Sequence, residues 1–252
     1  MFTDADLTRD GFLGGRLHLW QPRNGYRAAT DPVLLAACVP ARAGQSVLDL
    51  GCGAGAAILC LGTRVAGLHL AGVEVQPAYA ALARRNAAEN GLLLEVAEGD
   101  IATMPAPLRR GFDHVMLNPP YHPGGSTPSP VAARDTANRL TVPLAVWIDA
   151  ATRRAAPGGT VTMILGSPAL PEALAALAPR LGSAALLPLA PRAGRAAPRA
   201  ILRAVKGGRG RFRLLSALTL HEGAVHSGDG DDATPEIRAV LRDGADLSAR
   251  FG

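Results

Sequence analysis

"VLDLGCGAGA", residues 47–56, decides how this chain reads. An apolar run carries one acid, Asp49, and then gives way to Gly51, Gly53 and Gly55 before "GAAILCLGTRVA" takes up helical spacing. Glycines between a strand and a helix allow a tight turn and let a ligand approach the backbone. The helix start adds unpaired N–H groups. Gly51, Gly53 and Ala56 also satisfy the looser G-x-G-x-x-G/A pattern, so a dinucleotide site is one reading. A turn with glycines for packing only is another.

Outward from this loop, "SVLDL" (46–50), "LHLAGVEV" (68–75), "LLLEVAEGD" (92–100), "FDHVMLN" (112–118) and "GTVTMIL" (159–165) read as strands. "GAAILCLGTRVA" and "QPAYAALARRNAAENG" between them have helical spacing and end near glycines, and "LTVPLAVWIDAATRRAAPGG" reads as a helix closed by Pro-Gly-Gly. Strands and helices in alternation predict an α/β fold with a doubly wound, mainly parallel sheet. Before this core the spacing predicts a short hairpin and a helix from about Asp31. After it, "RAILRAVKG" and "FRLLSALTLHEG" flank "GGRG" as an antiparallel hairpin. The expected organisation is an extension over 1–44, a core over 45–225 and a polar, weakly packed tail over 226–252.

Three carboxylates sharpen the reading. Asp49 precedes the glycines, where an acid would crowd a pyrophosphate but suits an ammonium or sulfonium group. Glu74 closes the second strand, where an acid can accept from both ribose hydroxyls of a nucleoside, and Asp100 ends the third, near an adenine. "DLGCGAG", Glu74 and the "GD" at 99–100 together resemble the class I S-adenosylmethionine-dependent methyltransferases over about residues 45–165. The resemblance implies a Rossmann-like, mainly parallel seven-stranded sheet ending in an antiparallel hairpin. It implies that Asp49, Gly51 and Gly53 hold the methionine part of S-adenosyl-L-methionine, Glu74 the ribose, and Asp100 with Ile101 the adenine.

Asn118-Pro119-Pro120-Tyr121 ends the fourth strand beside that expected site. An exocyclic amine of a base has its lone pair delocalised into the ring. Acceptors that draw its two N–H groups aside turn the lone pair towards a methyl donor. Asn118 Oδ1 and the Pro119 carbonyl are such acceptors, and Pro120 limits backbone freedom. Tyr121 offers a ring face for a flipped base. A plain Asn-Pro turn is the alternative. The motif resembles amino-group methyltransferases acting on adenine, cytosine, guanine or a glutamine amide.

The flanks narrow this. "GGRLHLWQPRNGYRAATDPVLLAACVP" and "APRAILRAVKG…RFRLLSALTLHEG", with "NPPYHPGG", resemble the bacterial tRNA(Val) adenine-N6 methyltransferases over about residues 11–225. The resemblance implies methylation of N6 of the purine 3′ of the anticodon, with a tRNA partner. It also implies a lid helix that brings Thr30 and Asp31 to the donor, although the two also fit an N-cap pair. N5-glutamine methylation of a protein such as a release factor is the alternative, but only 50 residues precede the glycine loop.

The net charge of +5 comes almost wholly from arginine, Lys206 being the one lysine, and fits an anionic partner. The basic run over 192–213 contains no acid; Arg209, Arg211 and Arg213 are its candidate RNA contacts, with a solvated strand face as the other reading. Cys38, Cys52 and Cys60 make no CxxC, so no metal site is expected and buried thiols are. No apolar stretch reaches the roughly 18 residues of a membrane span and the N-terminus is acidic, so the expected compartment is the cytoplasm.

Overall fold

The computed structural model describes residues 1–120, 142–177, 180–223 and 232–252. The glycine loop follows β3 (Ser46–Leu50) and opens α2 (Ala56–Arg64). From there the chain alternates through β4 (His69–Glu74), α3 (Pro77–Glu89), β5 (Leu94–Glu98) and β6 (Phe112–Leu117). α4 (Leu144–Arg154), β7 (Ala155–Gly166), α5 (Leu170–Leu177), β8 (Leu181–Ala190) and β9 (Arg199–Lys206) complete the core. The strands run β5-β4-β3-β6-β7-β9-β8, all parallel except β9, which lies antiparallel between β7 and β8. Two-residue strands β10 (Arg213–Leu214) and β11 (Leu218–Thr219) pair in parallel with β8.

Side-chain alternation divides the core in two. Val47, Met116, Ile164, Ile201 and Leu187 face one side. Leu48, Leu117, Met163, Leu202 and Leu186 face the other. Since successive strand residues point to opposite faces, a sheet covered on both sides needs nearly continuous apolar strands. The first face is covered by α2 and α1 (Thr30–Cys38), whose residues 32–38 are all buried and whose Pro32 sits in the first turn. Helices α4 and α5 cover the second. The N-terminal hairpin, β1 (Leu7–Phe12) with β2 (Leu17–Pro22), leans on α3 through Asn86. Its side chain accepts from Trp20 N at 2.8 Å and donates to the Ala54 carbonyl at 2.9 Å.

The mainly parallel sheet and an antiparallel hairpin at its end are as expected, but the hairpin has different arms. It is β8 with β9; the segment after "GGRG" contributes only β10 and β11, which pair with β8 rather than β9. β8 is buried on both faces and so lacks the alternation that marks a half-exposed strand. The helix before β7 stops at Arg154, and Pro157, Gly158 and Gly159 belong to the strand's irregular start.

The weakly packed tail is a correction too. Residues 232–252 include α6 (Pro235–Arg238) and bury Ile237, Val240, Leu247 and Phe251 in the α1–α2 core. Arg203 lies 4.2 Å over the Phe251 ring, and Leu247 N–H donates to the Ala37 carbonyl at 2.9 Å. Apolar residues at 237, 240 and 241 follow helical spacing, and the acidic lead-in at 229–232 hid it.

Candidate active site

Parallel strands β3, β4, β5 and β6 end on one edge of the sheet, where open α/β sheets bind ligands. A cavity of about 560 Å³ there is lined by Gly51, Glu74, Asp100, Ile101, Asn118 and Trp147, among others. Sites for small molecules commonly span roughly 300–1,000 Å³. A narrow recess of about 30 Å³ adjoins it, shares Gly51 and Asn118, and adds Asp49, Gly53 and Tyr26.

The glycine loop shapes this floor. Gly51 has φ +67°, and a Cβ there would lie 2.7 Å from Cη2 of Trp147 on α4. At Gly53, φ +57°, a Cβ would meet nothing within 4 Å because the backbone opens on the recess. Gly53 N–H donates to Glu74 Oε2 at 2.9 Å and Gln76 N–H to Glu74 Oε1 at 3.0 Å. Both oxygens are thus oriented by backbone donors. Asp49 is buried at 3% exposure, and burial pushes its carboxyl well above the ordinary range. The Glu74 charge adds to that rise and the Ile58 N–H opposes it. Exposed Asp100 accepts from Ala102 N–H at 2.8 Å, beside buried Ile101.

Asn118 stands one residue beyond β6. Its Nδ2 donates to Tyr26 Oη at 3.2 Å. Tyr26 is held in turn by α3: its N–H donates to Tyr79 Oη at 3.1 Å, and the Tyr79 hydroxyl donates to the Tyr26 carbonyl at 3.4 Å. Pro120 lines the large cavity, whereas Pro119 is buried. Tyr121 and His122 lie outside the described residues.

The family described as Methyltransferase small domain matches residues 29–142. A tRNA1(Val) (adenine(37)-N6)-methyltransferase of Actinobacillus succinogenes is 32% identical over 164 residues, 62% of this chain and 67% of that one. Its namesake from Cronobacter sakazakii is 32% identical over 136 residues, 52% of this chain and 56% of the other. The chain thus spans little more than half the length of the second relative. A crystal structure from Agrobacterium tumefaciens, named as a predicted O-methyltransferase, superposes with a TM-score of 0.69 at 27% identity, covering 86% of this chain and 98% of that one.

This chain is a class I S-adenosylmethionine-dependent methyltransferase.

S-adenosylmethionine is the methyl donor of this methyltransferase, and the gathered residues suit it. A buried acid beside an open glycine backbone fits a cationic amino-acid part, and an oriented carboxylate with an exposed acid fits a nucleoside. Two expected donor contacts are not among the residues that line the cavity or the recess. Asp31 makes an ion pair with Arg199, and Thr30 lines a separate cavity beside Gly14 and Leu241. Nor are they an N-cap pair: Ala29 occupies the N-cap position of α1, with Thr30 and Asp31 in its first turn.

The basic run is largely taken up by the methyltransferase's own packing. Arg192 pairs with Asp232, Arg203 donates to the Cys38 and Ser248 carbonyls, Lys206 to the Ala155 carbonyl and Arg213 to the Phe251 carbonyl. Arg209 and Arg211 are exposed, but the chain there lies against the start of β8, where Gly210 N–H donates to Ser183 Oγ at 2.8 Å. Since β8 runs parallel to β3, its start lies on the edge opposite the cavity. Arg209, Arg211 and Arg213 therefore do not join the site.

Tyr26 and Trp147 are the residues that sequence reasoning missed. Tyr26 follows a polar turn and Trp147 sits in an ordinary amphipathic helix; neither carries a local signal. Among the described residues, no group of His, Cys, Asp and Glu could hold a metal ion, and no helix is long and apolar enough to cross a membrane.

Proposed function

We propose that this methyltransferase transfers a methyl group to the exocyclic N6 of an adenine in tRNA, the purine 3′ of the anticodon of tRNA(Val), in the cytoplasm. One observation carries the reading: Asn118 lines the same cavity as Gly51, Glu74, Asp100 and Ile101. An amide acceptor thus stands beside the residues suited to the donor. The relatives' names supply the tRNA and the position.

In this reading Glu74, its oxygens oriented by the Gly53 and Gln76 N–H groups, accepts from the ribose hydroxyls. Asp100 and Ile101 hold the adenine edge and face, while Asp49 and the Gly51–Gly53 backbone hold the cationic amino-acid end. When bound, the donor supplies an electrophilic methyl on a sulfonium. Asn118 Oδ1 and the Pro119 carbonyl accept the two N–H groups of the target amine and turn its lone pair out of conjugation. As the nitrogen gains positive character its N–H groups become stronger donors, so these acceptors stabilise the transition state more than the ground state. No enzyme group needs to take a proton before transfer. A hydroxyl acceptor, as in the Agrobacterium neighbour's name, has one proton and gains little from two converging acceptors.

Incubation with tritiated donor and either bulk tRNA or a peptide chain release factor tests the reading. Label in tRNA that digests to N6-methyladenosine is expected. Label in the release factor alone would establish the N5-glutamine alternative.

A further inference from the structure

Tyr26 is 42% exposed at the mouth of the site, yet its backbone is secured. Its N–H and carbonyl both bond the Tyr79 hydroxyl, and the Tyr79 ring is buried in α3 with Phe2 packed edge-on at 5.3 Å and 85°. From that mount the Tyr26 hydroxyl accepts from Asn118 Nδ2 at 3.2 Å. Three hydrogen bonds therefore run from a buried helix to the side chain that ends β6.

An asparagine amide is nearly symmetric in shape but not in chemistry: one end only donates and the other only accepts. If Asn118 turned by half a rotation, its NH₂ would face the incoming amine, and two donors would oppose each other. The structure holds the useful orientation: Nδ2 bonds the Tyr26 hydroxyl, which leaves Oδ1 turned away from the tyrosine. Both residues line the recess that adjoins the larger cavity, where Oδ1 is needed. We infer that Tyr26 is a positioning residue for transfer, fixing the Asn118 amide with its oxygen towards the substrate amine. This rests on the role proposed above for Asn118, and it holds for any amino-group substrate.

Tyr26→Phe keeps the ring and removes the bond. Single-turnover and steady-state kinetics on tRNA should show kcat lowered about three- to tenfold, the rate equivalent of one neutral hydrogen bond. KM for tRNA and donor affinity should be unchanged. The second measurement needs no substrate. The side-chain amide resonances of Asn118, assigned by their loss in Asn118→Asp, should show one slowly exchanging proton in the parent protein, and faster exchange in Tyr26→Phe. Unchanged kcat with unchanged amide exchange overturns the inference. So does a raised KM or donor Kd with kcat intact, which would make Tyr26 a ligand contact instead. If the parent protein methylates no tRNA, the substrate reading falls, and the amide exchange still decides the role of Tyr26.

Discussion

Gly51 is the position where fold and site press hardest on one residue. Alanine there must adopt φ near +67°, which costs an L-residue roughly 1–2 kcal/mol. Its Cβ must also displace the Trp147 ring, whose Cη2 and Cζ3 atoms would lie 2.7 and 2.9 Å away. Overpacking of this kind costs about 1–3 kcal/mol, because α4 carries the tryptophan and cannot yield without disturbing its own core. Gly51→Ala should therefore lose about 2–5 kcal/mol in urea denaturation, and donor affinity should fall in calorimetry as the cavity floor shifts. The two contributions can be separated. Trp147→Phe removes the ring atoms nearest the new methyl, so in that background Gly51→Ala should cost only the backbone share of about 1–2 kcal/mol. An equal cost in both backgrounds would refute the steric argument, and no cost in either would refute the whole account of the loop.

Asn118→Ala should lower kcat by about 10²–10³ while donor and tRNA still bind, read by single-turnover kinetics and calorimetry; a fully active variant would return Asn118-Pro119-Pro120 to an ordinary turn. Phe251→Ala should cost about 3–5 kcal/mol by urea denaturation, because a fully buried ring under Arg203 is removed; a change within error would mean that the C-terminal segment contributes nothing to the core. For Asp49 the folded state holds its proton more tightly than the unfolded chain, so its contribution to stability is present below the ordinary value of 3.8 and is lost as pH rises towards the raised folded value. Donor binding has the opposite slope: a cation favours the carboxylate, so affinity should rise over that window and binding should release a proton. Calorimetry in buffers of different ionisation enthalpy reads the proton, and Asp49→Asn should abolish its release.

What the sequence shows and hides follows from how local each cause is. The glycine loop and the three strand-end acids are legible because a turn with left-handed glycines and a strand end are local features, and four such ends meet on one edge by the topology of a parallel sheet. Asn118 is legible for the same reason. β8 is not, because a strand buried on both faces reads as a featureless apolar run. The basic run shows a different limit. Charge clustering in sequence says nothing of what each guanidinium meets, and Arg192, Arg199, Arg203 and Arg213 meet carboxylates, carbonyls and the Phe251 ring of their own chain. Tyr26 reaches Asn118 across 92 positions, and no spacing announces such a bond.

The same long-range geometry explains why the methyltransferase keeps two acids so close beneath its glycine loop. Asp49 and Glu74 are both buried, at 3% and 2% exposure, and the charge of Glu74 disfavours a second charge on Asp49. Glu74 takes up backbone N–H donors from Gly53 and Gln76, so its geometry is set before any ligand arrives. Asp49 has much less to offset its burial, and a cation entering the recess would relieve that imbalance, whereas an anion or a pyrophosphate would worsen it. In the proposed reading, the acid set two residues before the glycines favours a cationic ligand over a pyrophosphate, on a loop whose glycines alone would fit either.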